Sequence, residues 1–454
     1  MNKKQKSLRY SVIDGAFNSA MLGFGETFLK PFAIALKATN SQIGFLTSIP
    51  TLVGAITQLV SANLVEKFKE RKKLVTLAVL MQALVWLPIF LIPLIFKTIK
   101  IELLLFFVML YAAFGNFATP AWASWIGDLV DENERGKYFG LKSKLAGFVL
   151  FITVFLGGYF LDIFSKYSIL TAFSILFAIS MVARLFSFYY LSKIYEPKYV
   201  AEKKNEFTLL HFIKEMKQTN YGLFVIYTSL MNFAVYIAAP FFAVYMLKDL
   251  NFGYLDYTLV IVASSVSSFL AMTYWGRLSD KFGNKKIITV TGLLVPFVPL
   301  IWALVTRTYQ IIILEVFSGF IWAGFNLCTS NFIFDNTEKQ KRAKGFAYFN
   351  LFNSIAIFLG VSLGSFIALK LDSLLLVSSL PLVFIISGLA RLIVSLAFLK
   401  KLKEVREVKR ISTKRLLILT LTKPIRELIY EPIYFIESGI DQIKKEIKII
   451  KNKN

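Results

Sequence analysis

The apolar residues of this chain do not alternate with polar ones at a helical or strand period. They run in blocks of about twenty or more. A block of that length crosses a ~30 Å hydrocarbon core as a helix. Inside lipid every backbone N–H and C=O needs a partner within the protein, which a helix supplies along its own length. Composition agrees, since 56% of the 454 residues are apolar and 45 are Phe. The blocks therefore predict an all-α integral membrane protein. No block has the short apolar core and small-residue cleavage site of a secretory signal, so the first helix is expected to be retained. The single cysteine, Cys328, excludes an intrachain disulfide.

The formal net charge of +24 could suggest a nucleic-acid partner. Its distribution argues against one. Lys and Arg crowd the start (Lys3, Lys4, Lys6, Arg9), alternate turns and the tail, while the other turns carry about one basic residue each, such as Lys166, Lys248, Arg307 and Lys370. That alternation holds basic turns in the cytoplasm. It predicts twelve spans, a multi-pass protein of the cell membrane with both termini cytoplasmic, and anionic lipid contacts at the cytoplasmic face. No nucleic acid is expected, and a monomer is.

The spans are written twice. Residues 276–286, GRLSDKFGNKK, align with 62–72 at an offset of 214, with Leu64 on Leu278, Glu66 on Asp280 and Phe68 on Phe282. GDLVDENERGKYFG (127–140) aligns with FDNTEKQKRAKGFA (334–347) at an offset of 207, placing Asp128 on Asp335 and Arg135 on Arg342. Arg184 falls on Arg391 at the same offset. Tandem halves of this kind are the sequence signature of a transporter whose halves rock against each other. The expected division is an N-terminal six-helix bundle at 1–194, a cytoplasmic linker at 195–220, a C-terminal bundle at 221–402 and a basic amphipathic tail at 403–454.

Gly276, Leu278, Ser279, Asp280, Lys281, Gly283, Asn284, Lys285 and Lys286 fill every specified position of G-x-L-[SA]-D-[RK]-x-G-[RN]-[RK]-[RK]. With the acidic-then-Arg-Gly turn after the fourth span, this resembles the major facilitator superfamily over about 400 residues. The resemblance implies two pseudo-symmetric six-helix bundles. It also implies that this turn latches a cytoplasmic gate through Gly276, Asp280, Gly283, Lys285 and Lys286. Physically, Gly276 would allow two helices to approach, Gly283 a backbone turn, and Asp280 a cation partner or a cap on a neighbouring helix. The first copy is degraded: Ala62 and Lys69 replace the glycines and Glu66 the aspartate. The fifth span ends LGGYFLD, without the Gly-Pro signature of drug–proton antiporters in that superfamily.

Charged groups inside spans are costly and mark pathways. In the resembled family spans 1, 4, 7 and 10 line a central cavity. Their polar residues here are Asn18, Glu26 and Lys30; Asn116 and Thr119; Tyr227, Asn232 and Tyr236; Asn326 and Asn331. Asn18, Glu26, Lys30, Asn116, Tyr227, Asn232 and Asn326 are the candidate substrate or coupling residues. The bland alternative is that the amides join helices, and that Glu26 and Lys30, at i and i+4, pair with each other. Arg184 and Arg391 are expected to lie outside the cavity, snorkelling or pairing with an inner-turn carboxylate. Glu315 is expected near the outer mouth. Asp128, Arg135, Asp335 and Arg342 are candidate inner-turn pairs.

The lone histidine, His211, sits on the charged linker and reads as solvated. Without His or Cys clusters no metal site is expected, and no GxxxxGK[ST] loop offers an ATP-driven mechanism. No cofactor is expected. Isoleucines 429, 433, 436, 440, 443, 447 and 450 follow a 4-3 spacing that predicts an amphipathic helix on the inner leaflet. The functional expectation is a secondary active or facilitative transporter, not an enzyme, moving a small solute by alternating access, with Glu26 the residue for substrate contact or for proton coupling. The alternative is a transporter-fold sensor or lipid-handling protein with no soluble substrate.

Overall fold

A computed structural model describes residues 3–96, 98–131, 135–197, 209–337, 342–372, 378–409 and 411–422. The predicted tail helix at 429–450 and the side chains of Glu66, Arg135 and Arg342 lie outside the described residues. The N-terminal half comprises α1 (Lys3–Phe24), a 3-10 turn at Glu26–Phe28, α2 (Leu29–Ala35), α3 (Asn40–Phe68), α4 (Arg71–Ile95), α5 (Lys100–Leu129) and α6 (Arg135–Ser192). A short α7 (Leu209–Glu215) leads to the second half: α8 (Asn220–Tyr236), α9 (Phe241–Val244), α10 (Tyr254–Phe282), α11 (Asn284–Leu294), α12 (Phe297–Trp302), α13 (Thr308–Asn336), α14 (Arg342–Asp372) and α15 (Leu380–Phe398). A last helix, α16 (Thr413–Thr422), follows.

The repeat is structural as well as sequential. Adding 214 to the bounds of α3 gives 254–282, the bounds of α10, and adding 207 to those of α5 gives 307–336, against 308–336 for α13. The first span of each half is interrupted at the same level, at Gly25 and around residues 237–240. Among the described residues ten helical stretches are long and apolar enough to cross a membrane. One of them, Tyr138–Ser192, has 55 residues, roughly 80 Å as a straight helix. Extended backbone at Ser168 (φ −156°, ψ 100°) divides it.

The cores tell where the halves meet. One buried cluster contains Phe28, Phe32 and Ile43 of the first half together with Phe241, Tyr245 and Trp302 of the second. Two others are confined to one half each: Val65, Val75, Trp125 and Ile126 in the first, Phe224, Trp275, Ile288 and Phe332 in the second. The shared core lies where α2 and α9 end. The separate cores lie towards the Lys- and Arg-rich turns. Gly158 shows the seam directly, since a Cβ there would stand 2.0 Å from Thr258 Oγ1 on α10. On the same helix, Gly147 and Gly140 have no neighbour within 4 Å of a Cβ position among the described residues. Among the described residues the halves pack together at one end and part at the basic end, which leaves a cleft there.

A polar cavity in the N-terminal half

The cavity of about 380 Å³ is built wholly from the first half. Asp14, Asn18 and Glu26 reach it from α1 and the turn that follows, Gln82 from α4, and Tyr111, Asn116, Thr119 and Trp122 from α5. Lys142 and Arg184 come from the two parts of α6. The turn at Glu26–Phe28 is what delivers Glu26: α1 stops at Phe24, and the 3-10 stretch swings the carboxylate to the α5 side. Glu26 remains exposed and its Oε2 accepts a 2.7 Å hydrogen bond from the Tyr111 hydroxyl.

Arg184 anchors the wall. Only 7% of it is exposed. Its Nε donates to Gln82 Oε1 at 2.8 Å, and its Nη1 donates to Asn18 Oδ1 at 2.5 Å and to Ser187 Oγ at 3.0 Å. Ser187 in turn donates to Asp14 Oδ1 at 2.6 Å. Lys142 closes the chain of contacts: its Nζ lies 4.0 Å from Asp14 Oδ2, donates to Ser11 Oγ at 3.0 Å, and stands 4.1 Å above the Trp122 ring. Four ionisable groups, from α1, the turn after it and α6, therefore line one cavity, two of each sign, with Glu26 the exposed one. A buried guanidinium is tolerated when its donors are used, and here three of the five N–H groups bond side chains.

The structure corrects several sequence expectations. Arg184 neither snorkels nor sits outside the cavity. It turns inward because Gln82 and Asn18 accept its hydrogen bonds. Arg391 is buried too, at 2% exposure, and bonds Ser387 Oγ at 3.2 Å and, more loosely, the Val235 and Val295 carbonyls. Glu26 and Lys30 form no ion pair within 4 Å, because the break at Gly25 removes the helical i, i+4 geometry between them. Lys30 lies on α2 and does not line the cavity. Tyr227 is fully buried in the core of the second half instead of lining a central cavity. Asn232 donates to Asn353 Oδ1 at 2.6 Å, an interhelical amide pair. Asn326 is exposed on α13. Asn116 lines the cavity and its Oδ1 accepts from Gln58 Nε2 at 2.9 Å. Across the seam, Gln58 Oε1 accepts from Asn350 at 3.2 Å. Glu315 accepts from Trp302 Nε1 at 3.0 Å. Asp14, Gln82, Tyr111, Lys142 and Arg184 were not candidates from sequence. The signal for Asp14, Lys142 and Arg184 was a set of complementary charges on spans 1, 5 and 6; Gln82 and Tyr111 carried none.

At the basic end each half is tied by its own charges. Arg71, wholly buried at the start of α4, donates to Asp128 Oδ2 at 2.5 Å, to Ser124 Oγ at 2.9 Å and to the Pro197 carbonyl at 3.2 Å. In the second half the segment after α15 does this work. Glu404 Oε2 accepts from the Lys285 backbone N–H at 2.8 Å, capping α11. Gly283, at φ 88°, makes room for it, since a Cβ would come within 2.2 Å of that oxygen. Arg406 Nη2 donates to the Ser279 carbonyl at 2.7 Å, and its Nε is 3.4 Å from Asp335 Oδ2, which also accepts from Asn284 at 2.7 Å. Lys286 Nζ donates to Thr413 Oγ1 at 3.2 Å. Asp280 is 81% exposed and only 3.8 Å from Arg406 Nη1. A Cβ at Gly276 would meet only Leu327, at 3.9 Å. Among the described residues no close helix approach occurs at Gly276 and no contact from Asp280 crosses between halves.

Comparison with known proteins agrees with this architecture. The sequence matches the quinolone resistance protein NorA of Staphylococcus aureus at 28% identity over 152 residues, 33% of this chain and 39% of NorA. It thus spans about two fifths of that relative. A multi-drug resistance efflux pump PmrA homologue of Lactococcus lactis matches at 22% over 360 residues, 78% of this chain and 85% of that protein. Among solved structures the fold is similar to the nucleoside transporter NupG, with TM-score 0.65 and 12% identity over 89% of this chain and all of NupG. It is also similar to a bacterial homologue of the human lysosomal transporter Spinster in an inward-facing, unoccupied conformation, with TM-score 0.60 and 12% identity over 89% of this chain and the whole of that one. Residues 15–244 and 224–440 each match the profile of the Major Facilitator Superfamily, and the chain belongs to that superfamily of membrane transporters.

Proposed function

We propose that this chain moves a small organic solute by alternating access, with the N-terminal cavity as the substrate site. One observation carries the reading: a cavity of about 380 Å³ in the first half gathers Asp14, Glu26, Lys142 and Arg184. Twelve spans follow if the α1–α2 stretch is the first and α6 counts as two about Ser168. Basic turns then place both termini and the open end in the cytoplasm of a multi-pass cell-membrane protein. The bundles are 1–194 and 221–402, joined by the linker 195–220, and the chain works as a monomer. Glu26 is the coupling group, because its carboxylate is held by one phenol and faces the cavity. Asp280 acts on gating only when the basic ends close. The relatives that match are drug-resistance and nucleoside-transport proteins by name, which favours an organic solute with both polar and aromatic surface.

A thermal-stabilisation screen of amphipathic organic cations, organic anions and nucleosides on the purified chain supplies the ligand. Uptake of that ligand into proteoliposomes, with and without a pH gradient, then tests transport. The expected result is gradient-dependent movement, lost in Glu26→Gln while binding by Asn326→Ala is unchanged. A ligand that binds and never moves would instead favour a transporter-fold sensor.

A further inference from the structure

We propose that a lysine pocket at the basic end of the first half binds the phosphate of an anionic phospholipid. Lys3, Lys6, Lys72 and Lys193 converge on a cavity of about 340 Å³, walled by Tyr10 and Tyr195. Neighbouring carboxylates are already engaged. Asp131 holds Lys4 at 2.5 Å, Glu70 holds Lys73 at 3.2 Å, Asp128 holds Arg71 at 2.5 Å, and Glu196 faces Arg71 at 3.6 Å. Among the described residues none of the four pocket lysines lies within 4 Å of a carboxylate. The lining holds four lysines against one carboxylate, Glu196, which faces Arg71, so the pocket keeps a positive excess that a phosphate would balance.

The second half supplies an independent argument. The residue equivalent to Lys72 at the 214 offset is Lys286, which there bonds Thr413 at the start of α16. Leu416 of α16 is fully buried against that half. Asn220, equivalent to Lys6, exchanges hydrogen bonds of 2.9 Å with the backbone of Lys403. Protein covers this place in the second half. In the first half the same place is lined by lysines, and among the described residues no helix lies over it.

A lipid fits better than a soluble phosphate for a geometric reason. Lys3 Nζ lies 4.6 Å from the Tyr195 ring centre and Lys193 Nζ 3.9 Å from that of Tyr189. Tyrosines and lysines at span ends sit at headgroup depth, with apolar stems along the acyl boundary. The pocket thus offers a cationic floor and aromatic walls where a diester phosphate arrives already anchored in the leaflet.

The test uses the full chain in phosphatidylcholine nanodiscs containing a minor fraction of phosphatidylglycerol. Native mass spectrometry of the released protein counts retained phosphatidylglycerol. A chain with Lys3, Lys6, Lys72 and Lys193 all changed to Gln is compared with one in which Lys214, Lys217, Lys281 and Lys414 are changed. Both lose the same charge, and the thermal midpoint of each shows that it is folded. The proposal expects the pocket variant to lose at least about five-fold of its retained lipid and the control to keep it. Single changes at Lys72 and Lys193, each expected to lower retention about two-fold, cover the case in which the quadruple variant does not fold. Equal losses in pocket variant and control would overturn the proposal. So would displacement of the bound species by millimolar inorganic phosphate with no preference for phosphatidylglycerol over phosphatidylcholine, which would mark a soluble-phosphate site. Neither outcome depends on whether the chain transports anything.

Discussion

The two halves share one fold and differ in what they bury. At the positions of Asp14, Glu26, Gln82 and Lys142, the second half carries Thr228, Pro240, Pro296 and Phe349. Only the arginine is kept, as Arg184 and Arg391. Thr228 bonds the Phe224 carbonyl within its own helix, and Phe349 stacks with Phe224 at 6.2 Å. The first half is a polar wall carrying charges of both signs, the second a packed aromatic core. A buried arginine by itself therefore does not make a site. It becomes one when complementary side chains, rather than backbone carbonyls, hold it beside a cavity.

The largest expected break in this comparison comes from the two arginines. Arg184→Met strips Gln82, Asn18 and Ser187 of their common donor and leaves Asp14 poorly balanced. It should cost about 3–5 kcal/mol of stability and abolish ligand binding. Arg391→Met removes a charge held by three longer contacts and should cost at most about 1 kcal/mol, since an apolar replacement for a buried charge is often near neutral. Thermal denaturation of both variants in detergent decides it, and equal costs would remove the asymmetry.

The gate ends should differ less. Arg71→Met leaves Asp128, itself half exposed, without its partner and is expected to cost about 2 kcal/mol. Lys285→Met should cost under about 0.5 kcal/mol, because Glu404 holds the backbone N–H there and not the side chain. Glu404→Gln should lower stability by about 1 kcal/mol through a weakened cap on α11. The same denaturation series reports all three.

Smallest is Asp280→Asn. At 81% exposure its contact with Arg406 is worth at most about 0.5 kcal/mol, so stability should be unchanged. Any effect should appear only in transport rate, when the basic ends come together. A destabilised Asp280→Asn would mean that the turn is structural rather than a latch.

Much of the fold was readable because spans and a repeat leave large periodic signals: apolar blocks, basic turns and a loop motif met in full at 276–286. Within the site, Asn18, Glu26 and Asn116 were readable as polar residues on apolar spans. Asp14 and Lys142 lie near the basic end, where charge is common, so neither stood out. The span number of Arg184 points outside the cavity, and only packing shows that Gln82 and Asn18 draw it inward. Tyr227 fails for the opposite reason: its position on the seventh span suggested a cavity, but neighbours on the adjoining helices close over it. The interruption at Gly25 has no proline to announce it, and it decides that Glu26 meets Tyr111 and not Lys30.

The claim that the substrate site belongs to the first half has one direct test. The affinity of the screened ligand is measured on purified Glu26→Gln and Asn326→Ala, one from each half. The expected result is at least a ten-fold weaker Kd for Glu26→Gln, about 1.4 kcal/mol, and less than a two-fold change for Asn326→Ala. A reversed order, with Asn326→Ala weakened and Glu26→Gln intact, would contradict the account.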